Sequence, residues 1–334
     1  MKKIAILGCG AMGTAMGAYM ARNGLFVDMV DSYEAHVKAL NEKGAQILGR
    51  DAFTTPVKAI LPQQMEGIYD LVFLLTKQTA NEVVLNALLP HLGPNSVVCT
   101  LQNGVPEPFV AQIVGARRTV GGAIQWGATF RGPGVSDVTS DMKTKFEKNM
   151  PLFAIGEIDG RISPRIEEIA KVLSYMGRTV ITTELMNIRW RKLVYNSCGS
   201  GMSAACGSNF GAVLDSPRAM DCLAQVANEV AVCAKAAGID LGDSLVQRLT
   251  NVDACKENFF NVYKSARTGK ASMLQDLENG RITEVDMING YICAVGDQYD
   301  IDTPYNDALV SIVHRMETGE LPLSISNLQY FPEI

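Results

Sequence analysis

Lys192, Asn196 and Ser200 stand four residues apart in the run Trp190-Arg191-Lys192-Leu193-Val194-Tyr195-Asn196-Ser197-Cys198-Gly199-Ser200. On a helix, residues at i, i+4 and i+8 share one face. An ammonium group flanked by two small hydrogen-bonding side chains can polarise and protonate an oxygen atom of a bound organic molecule. An exposed lysine beside a buried asparagine would show the same spacing, so spacing alone leaves both readings open. Histidine, the usual proton donor, offers little here. The chain has three, His36, His91 and His314. The first two are expected on helix surfaces and the third near the end of the last helix, and none is placed to protonate a substrate oxygen.

A second constellation lies at the N-terminus. Gly8-Cys9-Gly10-Ala11-Met12-Gly13 follows an apolar strand and opens a helical pattern. In such a loop the first glycine permits a tight turn and the second lets a pyrophosphate approach the backbone. The third lets helix and strand pack closely, and the helix N-terminus offers N–H groups to the phosphates. Asp31 ends the next strand-like run, 23 residues beyond Gly8. A carboxylate at that offset accepts from the adenosine ribose hydroxyls and repels a 2′-phosphate, which favours NAD and leaves NADP possible. Asp31 could instead cap the helix that follows. Hydride addition to a carbonyl leaves an alkoxide that must be neutralised, so a lysine or tyrosine acid is required where histidine is missing.

The elements that must position these groups fall into two textures. Residues 4–8, 26–31, 71–76, 96–101 and 120–125 read as strands, most without period-two alternation, as in sheets buried on both faces. Residues 12–22, 35–43 and 79–91 carry helical spacing between them, and Asn23-Gly24 stops the first helix. A strand near 152–158 and a helix near 164–175 complete this half. From about Glu184 helical patterns dominate, at 186–194, 219–237, 245–260, 282–298 and 305–317. The expected fold class is α/β: an N-terminal Rossmann-type doubly wound parallel sheet followed by an all-α C-terminal domain. Residues 1–183 form the dinucleotide-binding domain and 184–334 the helical substrate and catalytic domain, with the substrate expected in the cleft between them.

Composition narrows the classes. The chain has 334 residues, 47% of them hydrophobic and 19% charged, enough for two cores and too apolar for disorder. A net charge of −5 and the lack of any basic run longer than the Arg189, Arg191, Lys192 cluster argue against a nucleic-acid partner. The eight cysteines form no C-x-x-C pair and suggest no metal site, which fits a reducing cytoplasm. The apolar run after Met1 ends at Gly8, too soon for a signal-peptide core. No apolar stretch approaches the roughly 18 residues of a spanning helix, so no membrane partner is expected. The apolar C-terminal helices could fill their own core or pair in a homodimer.

The sequence resembles the ketopantoate reductases (2-dehydropantoate 2-reductases) over nearly its whole length. The likeness rests on the glycine loop, Leu75-Thr76-Lys77, Leu101-Gln102-Asn103-Gly104 and Trp190-Arg191-Lys192-Leu193 with Asn196. It continues through Ser272-Met273-Leu274-Gln275-Asp276 and Thr283-Glu284-Val285-Asp286-Met287-Ile288-Asn289-Gly290. The resemblance implies that Lys192 is the general acid and that Glu284 binds substrate and tunes its charge. It also implies that Asn103 positions cofactor and substrate, that Asn196 and Ser272 bind the substrate's hydroxyl or carboxylate, and that Lys77 lies near the nicotinamide. Read without it, Ser272 and Glu284 are helix N-terminal and capping residues. Two departures stand out. Ser200, flanked by Gly199 and Gly201, replaces a second asparagine of the family, and Asp31 replaces a basic residue typical of NADPH users. Both bring the chain closer to NAD-dependent D-2-hydroxyacid dehydrogenases of the same superfamily. The expected substrate is a 2-keto or 2-hydroxy acid. A dinucleotide-sensing protein without turnover is the alternative from another class.

Overall fold

The computed structural model describes residues 1–333. Its first compact unit comprises Met1–Gln102 and Pro106–Leu185; the second joins Asn103–Val105 to the chain from Met186 onward.

In the first unit the elements are β1 (Ile4–Leu7), α1 (Ala11–Arg22), β2 (Asp28–Val30), α2 (Glu34–Lys43), β3 (Ala45–Leu48), β4 (Phe53–Thr55) and β5 (Lys58–Ile60). There follow β6 (Tyr69–Leu74), α3 (Asn81–Leu88), β7 (Leu92–Thr100), α4 (Glu107–Val114), β8 (Thr119–Ile124), β9 (Ala128–Gly132) and β10 (Val135–Val138). The unit ends with α5 (Met142–Glu147), β11 (Phe153–Gly156), α6 (Pro164–Leu173) and β12 (Thr179–Ile181).

Eight strands form one sheet in the order β12-β11-β8-β7-β6-β1-β2-β5. All its pairs are parallel except β8 with β11, where Phe153 lies opposite Ile124. The wholly parallel sheet expected from the sequence thus gains one antiparallel pair towards its edge. Its central strands are buried on both faces, which explains their uninterrupted apolar runs. Ile4 and Ile6 feed the core shared with α1 and α6, whereas Ala5 and Leu7 feed the core shared with α3 and α4. After β1 the chain winds outward through β2 and β5, then returns to pair β6 on the other side of β1. That reversal leaves a crevice at the carboxyl end of β1, the position where doubly wound sheets bind ligands. The glycine loop begins there.

A second sheet, β4-β3-β10-β9, has no counterpart in the sequence-based expectation. Its β3–β4 and β9–β10 pairs are antiparallel, and β10 joins β3 in parallel. The sheet packs across α1.

The second unit is helical. Past Leu185 it contains α7 (Leu185–Tyr195), a π-helical turn (Asn196–Ser200), α8 (Gly201–Ala205), α9 (Phe210–Asp215), α10 (Pro217–Ala236) and α11 (Asp243–Thr250). It closes with α12 (Val252–Tyr263), α13 (Ser272–Glu278), α14 (Val285–Gln298) and α15 (Pro304–Glu317). The single helix expected over 245–260 is two, because the Asn251 side chain accepts from the Ala254 N–H at 2.9 Å and starts a new helix. A core through Trp190, Leu193, Val230, Phe259, Ile292 and Leu309 fills the unit. No helix among the described residues is long and apolar enough to cross a membrane. The eight cysteines are free thiols, seven of them buried.

Candidate active site

The glycine loop is shaped by contacts that exclude side chains. Gly8 has φ +97°, and a Cβ there would lie 2.4 Å from the Thr76 amide nitrogen; one at Gly13 would lie 2.2 Å from the Gly8 carbonyl oxygen. Strand, loop and helix therefore close on one another only with glycine at both positions. Gly10, by contrast, is exposed, with nothing within 4 Å of a Cβ. It serves as N-cap of α1 without any side-chain cap, so the first N–H groups of the helix, beginning at Ala11 and Met12, are left to an outside acceptor. Ala11 and Met12 are half-buried. An open face, uncapped N–H groups and a helix N-terminus fit a dinucleotide pyrophosphate. Cys9 does not face that opening. Its side chain is fully buried, and burial, helped by the nearby Asp31 charge, pushes the thiol well up.

Asp31 ties the entry to α2 to the glycine loop. Its Oδ1 accepts from the Tyr33 N–H at 2.9 Å at the entry to α2, and its Oδ2 accepts from the Cys9 N–H at 2.8 Å. Each carboxylate oxygen has a further lone pair, so the half-buried group can still accept from a ribose hydroxyl. Lys77 is exposed just beyond β6, next to Thr76, whose amide touches Gly8.

His36 is not on a helix surface, as its spacing suggests, but 1% exposed beneath the glycine loop. The second sheet, invisible in the sequence pattern, covers it. His91 bonds the Gly67 carbonyl, and His314 pairs with Asp286 at 3.0 Å.

In the helical unit α7, the π turn and α8 run continuously. Four residues on an α-helix overshoot one turn by roughly 40°. Two such steps would swing Ser200 well away from Lys192. The π turn advances less per residue and takes back much of that drift. Its loosened carbonyls are held from other helices: the Tyr263 hydroxyl donates to the Tyr195 carbonyl at 3.2 Å, and the Asn289 amide donates to the Ser197 carbonyl at 3.2 Å. The glycines flanking Ser200 make room for these clamps. A Cβ at Gly199 would lie 2.1 Å from the Tyr263 hydroxyl, and one at Gly201 2.8 Å from Asn289 Oδ1.

Lys192 is half-buried, and its ammonium is pushed down to about 8 by burial and by the Arg189 charge, with the Glu284 carboxylate opposing. Glu284 occupies the N-cap position of α14 yet makes no capping hydrogen bond. Thr283 Oγ1 accepts from the Val285 N–H instead, at 3.1 Å. Ser272 is the exposed first residue of α13 and likewise caps nothing, since Ala271 holds the N-cap position. Both α13 and α14 pack on the π turn. Ser200 Oγ is buried with no hydrogen-bond partner among the described residues. Such a group is free to bond a partner from outside the chain. Asn103 clusters with this helical unit, although it follows β7 in sequence. The structure thus gathers Asn103, Lys192, Asn196, Ser200, Ser272 and Glu284 in one unit, and the glycine loop, Asp31 and Lys77 in the other. Sequence reasoning assigned no role to His36, Tyr263, Asn289 or Arg189. Only Arg189, three residues before Lys192, carried a spacing signal. Among the described residues no group of three or more His, Cys, Asp or Glu side chains converges to hold a metal ion.

Comparisons with known proteins agree along the chain. Residues 4–150 match the family model for ketopantoate reductase PanE/ApbA, and residues 184–317 match that for its C terminal part. The 2-dehydropantoate 2-reductase of Archaeoglobus fulgidus is 30% identical over 96% of this chain and 99% of its own length. That of Lactococcus lactis is 26% identical over 94% and 98%. A solved D-mandelate dehydrogenase with NADH and anilino(oxo)acetate is similar at a TM-score of 0.81 and 25% identity, covering 95% of this chain and 99% of that one. A ketopantoate reductase from Ralstonia eutropha gives a TM-score of 0.82 at 22% identity over 95% and 99%, a likeness of fold.

Proposed function

The chain belongs to the ketopantoate reductase family and is an oxidoreductase of that type, and we propose that it reduces the branched 2-keto acid 2-dehydropantoate to pantoate with a nicotinamide cofactor. The observation that carries this reading is the Lys192 ammonium, its acidity raised by burial and Arg189 and restrained by Glu284, on one helical run with Asn196 and Ser200.

When bound, a reduced nicotinamide supplies the hydride that becomes the new C2–H bond. The glycine loop and the N-terminus of α1 hold its pyrophosphate and Asp31 its ribose, which favours NADH; Lys77 and Asn103 orient its reactive end. Lys192 donates a hydrogen bond to the keto oxygen and passes its proton there as the C=O bond becomes C–OH. One hydride and one proton thus complete the alcohol, and the neutral lysine recovers its proton from water. An acid whose ordinary range is near 10.4 would hold its proton too tightly; at about 8 it is matched to neutral conditions. Glu284 keeps the protonated form populated. Asn196, Ser200 and Ser272 bind the hydroxyl and carboxylate.

A second reading keeps the chemistry and changes the acid: an NAD-dependent D-2-hydroxyacid dehydrogenase. Ser200 favours it, because a serine reaches less far than an asparagine towards a substrate hydroxyl. Steady-state assays of 2-dehydropantoate against a panel of 2-keto acids, with NADH and NADPH in parallel, decide between them. The leading reading expects 2-dehydropantoate to give the highest kcat/KM. A keto acid without the distal hydroxyl in first place selects the second, and no oxidation of either cofactor with any acid removes both.

A further inference from the structure

His36 is wired between the glycine loop and the second sheet. The Gly134 N–H, at the β9–β10 turn, donates to Nδ1 at 2.9 Å. The neutral ring therefore carries its proton on Nε2, which lies 2.7 Å from the Cys9 carbonyl oxygen and 3.0 Å from Thr14 Oγ1. Thr14 Oγ1 also donates to the Cys9 carbonyl, at 2.6 Å. From β10, Ser136 Oγ donates to the Ala11 carbonyl at 2.8 Å.

A trans peptide plane points its C=O and the following N–H in opposite directions. Holding the Cys9 carbonyl inward turns the Gly10 N–H outward. Holding the Ala11 carbonyl does the same for the Met12 N–H. The neighbouring Cys9 N–H is already taken by Asp31. We propose that His36 is a positioning residue: with Ser136 it ties the glycine loop to the second sheet and aims the loop's N–H groups at the dinucleotide pyrophosphate. The small sheet then acts as a brace for the phosphate cradle. This inference rests on the proposed dinucleotide binding.

Two substitutions separate positioning from mere packing. His36→Gln keeps a donor near Nε2 that can reach Cys9 O and loses the acceptor for Gly134; His36→Asn keeps the acceptor and loses the donor. Both lose one buried hydrogen bond, so both lower the Tm of the cofactor-free protein. Titrating the full chain with NADH, followed by protein fluorescence, is expected to give a Kd about tenfold higher for His36→Asn, a loss of ~1.4 kcal/mol. His36→Gln should stay within about threefold. At saturating NADH, kcat should hold in both. Ser136→Ala, which leaves the imidazole in place, should raise Kd by about threefold and serves if a histidine variant does not fold. Equal Kd changes in the two histidine variants, or an unchanged Kd in Ser136→Ala, would overturn the inference while leaving the functional reading intact. Wild-type protein that binds neither NADH nor NADPH would end both.

Discussion

Arg189 stands three residues before Lys192 on α7, and its positive charge adds to burial in pulling the lysine down to about 8 while Glu284 pulls the other way. The pair sets up a pH dependence with a definite sign. The acid must carry its proton when hydride arrives, so kcat for keto-acid reduction should be level at neutral pH and fall above about 8. Replacing Glu284 with glutamine removes the charge that favours the ammonium. The alkaline limb should then move to lower pH by roughly one unit. A limb that stays in place in the kcat profile of Glu284→Gln would separate the carboxylate from the lysine.

Removing the ammonium tests the chemical step itself. Lys192→Ala should lower kcat by roughly 10²- to 10⁴-fold, the usual worth of a positioned acid. The glycine loop and Asp31 belong to the other unit, so NADH affinity should hardly change. Pre-steady-state reduction together with an NADH titration reads both quantities. A variant with wild-type kcat removes the lysine from the mechanism.

Asp31 should govern the choice of cofactor. Its two oxygens accept from Cys9 and Tyr33 as well as facing the ribose site in the proposed function. Asp31→Asn loses the negative charge that repels a 2′-phosphate and turns one amide donor towards a backbone donor. The ratio of kcat/KM for NADH to that for NADPH should fall about tenfold, with NADH itself binding more weakly. An unchanged ratio would leave Asp31 as a local turn residue and nothing more.

Ser200 should govern reach into the substrate. Restoring the family's asparagine, Ser200→Asn, places an amide where a buried hydroxyl has no partner among the described residues. One added hydrogen bond is worth about 1 kcal/mol, so kcat/KM for 2-dehydropantoate should rise roughly fivefold relative to a 2-keto acid lacking the distal hydroxyl. Equal changes for the two acids would place residue 200 away from that hydroxyl.

The glycine loop and the lysine run were legible because each depends on contacts within a few residues. Gly8 and Gly13 approach one another across a single turn, and Lys192 and Asn196 share a helix face by spacing alone. The second sheet was not legible. Its strands are three to five residues long, and β10 finds β3 about 90 residues earlier in the chain, so no local periodicity announces it. His36 was misplaced for the same reason, since the N–H that fixes its ring belongs to Gly134. The π turn was hidden because the i, i+4 pattern runs on through it. The side chains that stabilise it, Tyr263 and Asn289, arrive from helices far along the sequence.

The brace at His36 also predicts an acid limit to stability. Burial holds the imidazole below its ordinary range, with the Asp31 carboxylate and the hydrogen bond to Cys9 acting the other way. Around the ring stand Asp31, the Cys9 carbonyl and Thr14 on the loop side, the Tyr33 and Phe130 rings, and the Gly134 N–H. Asp31 is the one charged group among them. A proton on Nδ1 would face the Gly134 N–H donor to donor, so the folded protein resists it. Above about 6.5 the histidine is neutral folded or unfolded and contributes no pH dependence. As pH falls below that value the unfolded chain takes up a proton that the folded chain refuses, and stability declines until the lowered folded value is reached. NADH affinity, a property of the folded protein, should hold over that window, because the folded ring stays neutral and Nε2 keeps the Cys9 carbonyl. Thermal melts between pH 7.5 and 5 should show the decline in the wild type. His36→Gln, which cannot titrate, should lose this part of the slope. A slope equal to that of the wild type would assign the acid limit to other groups.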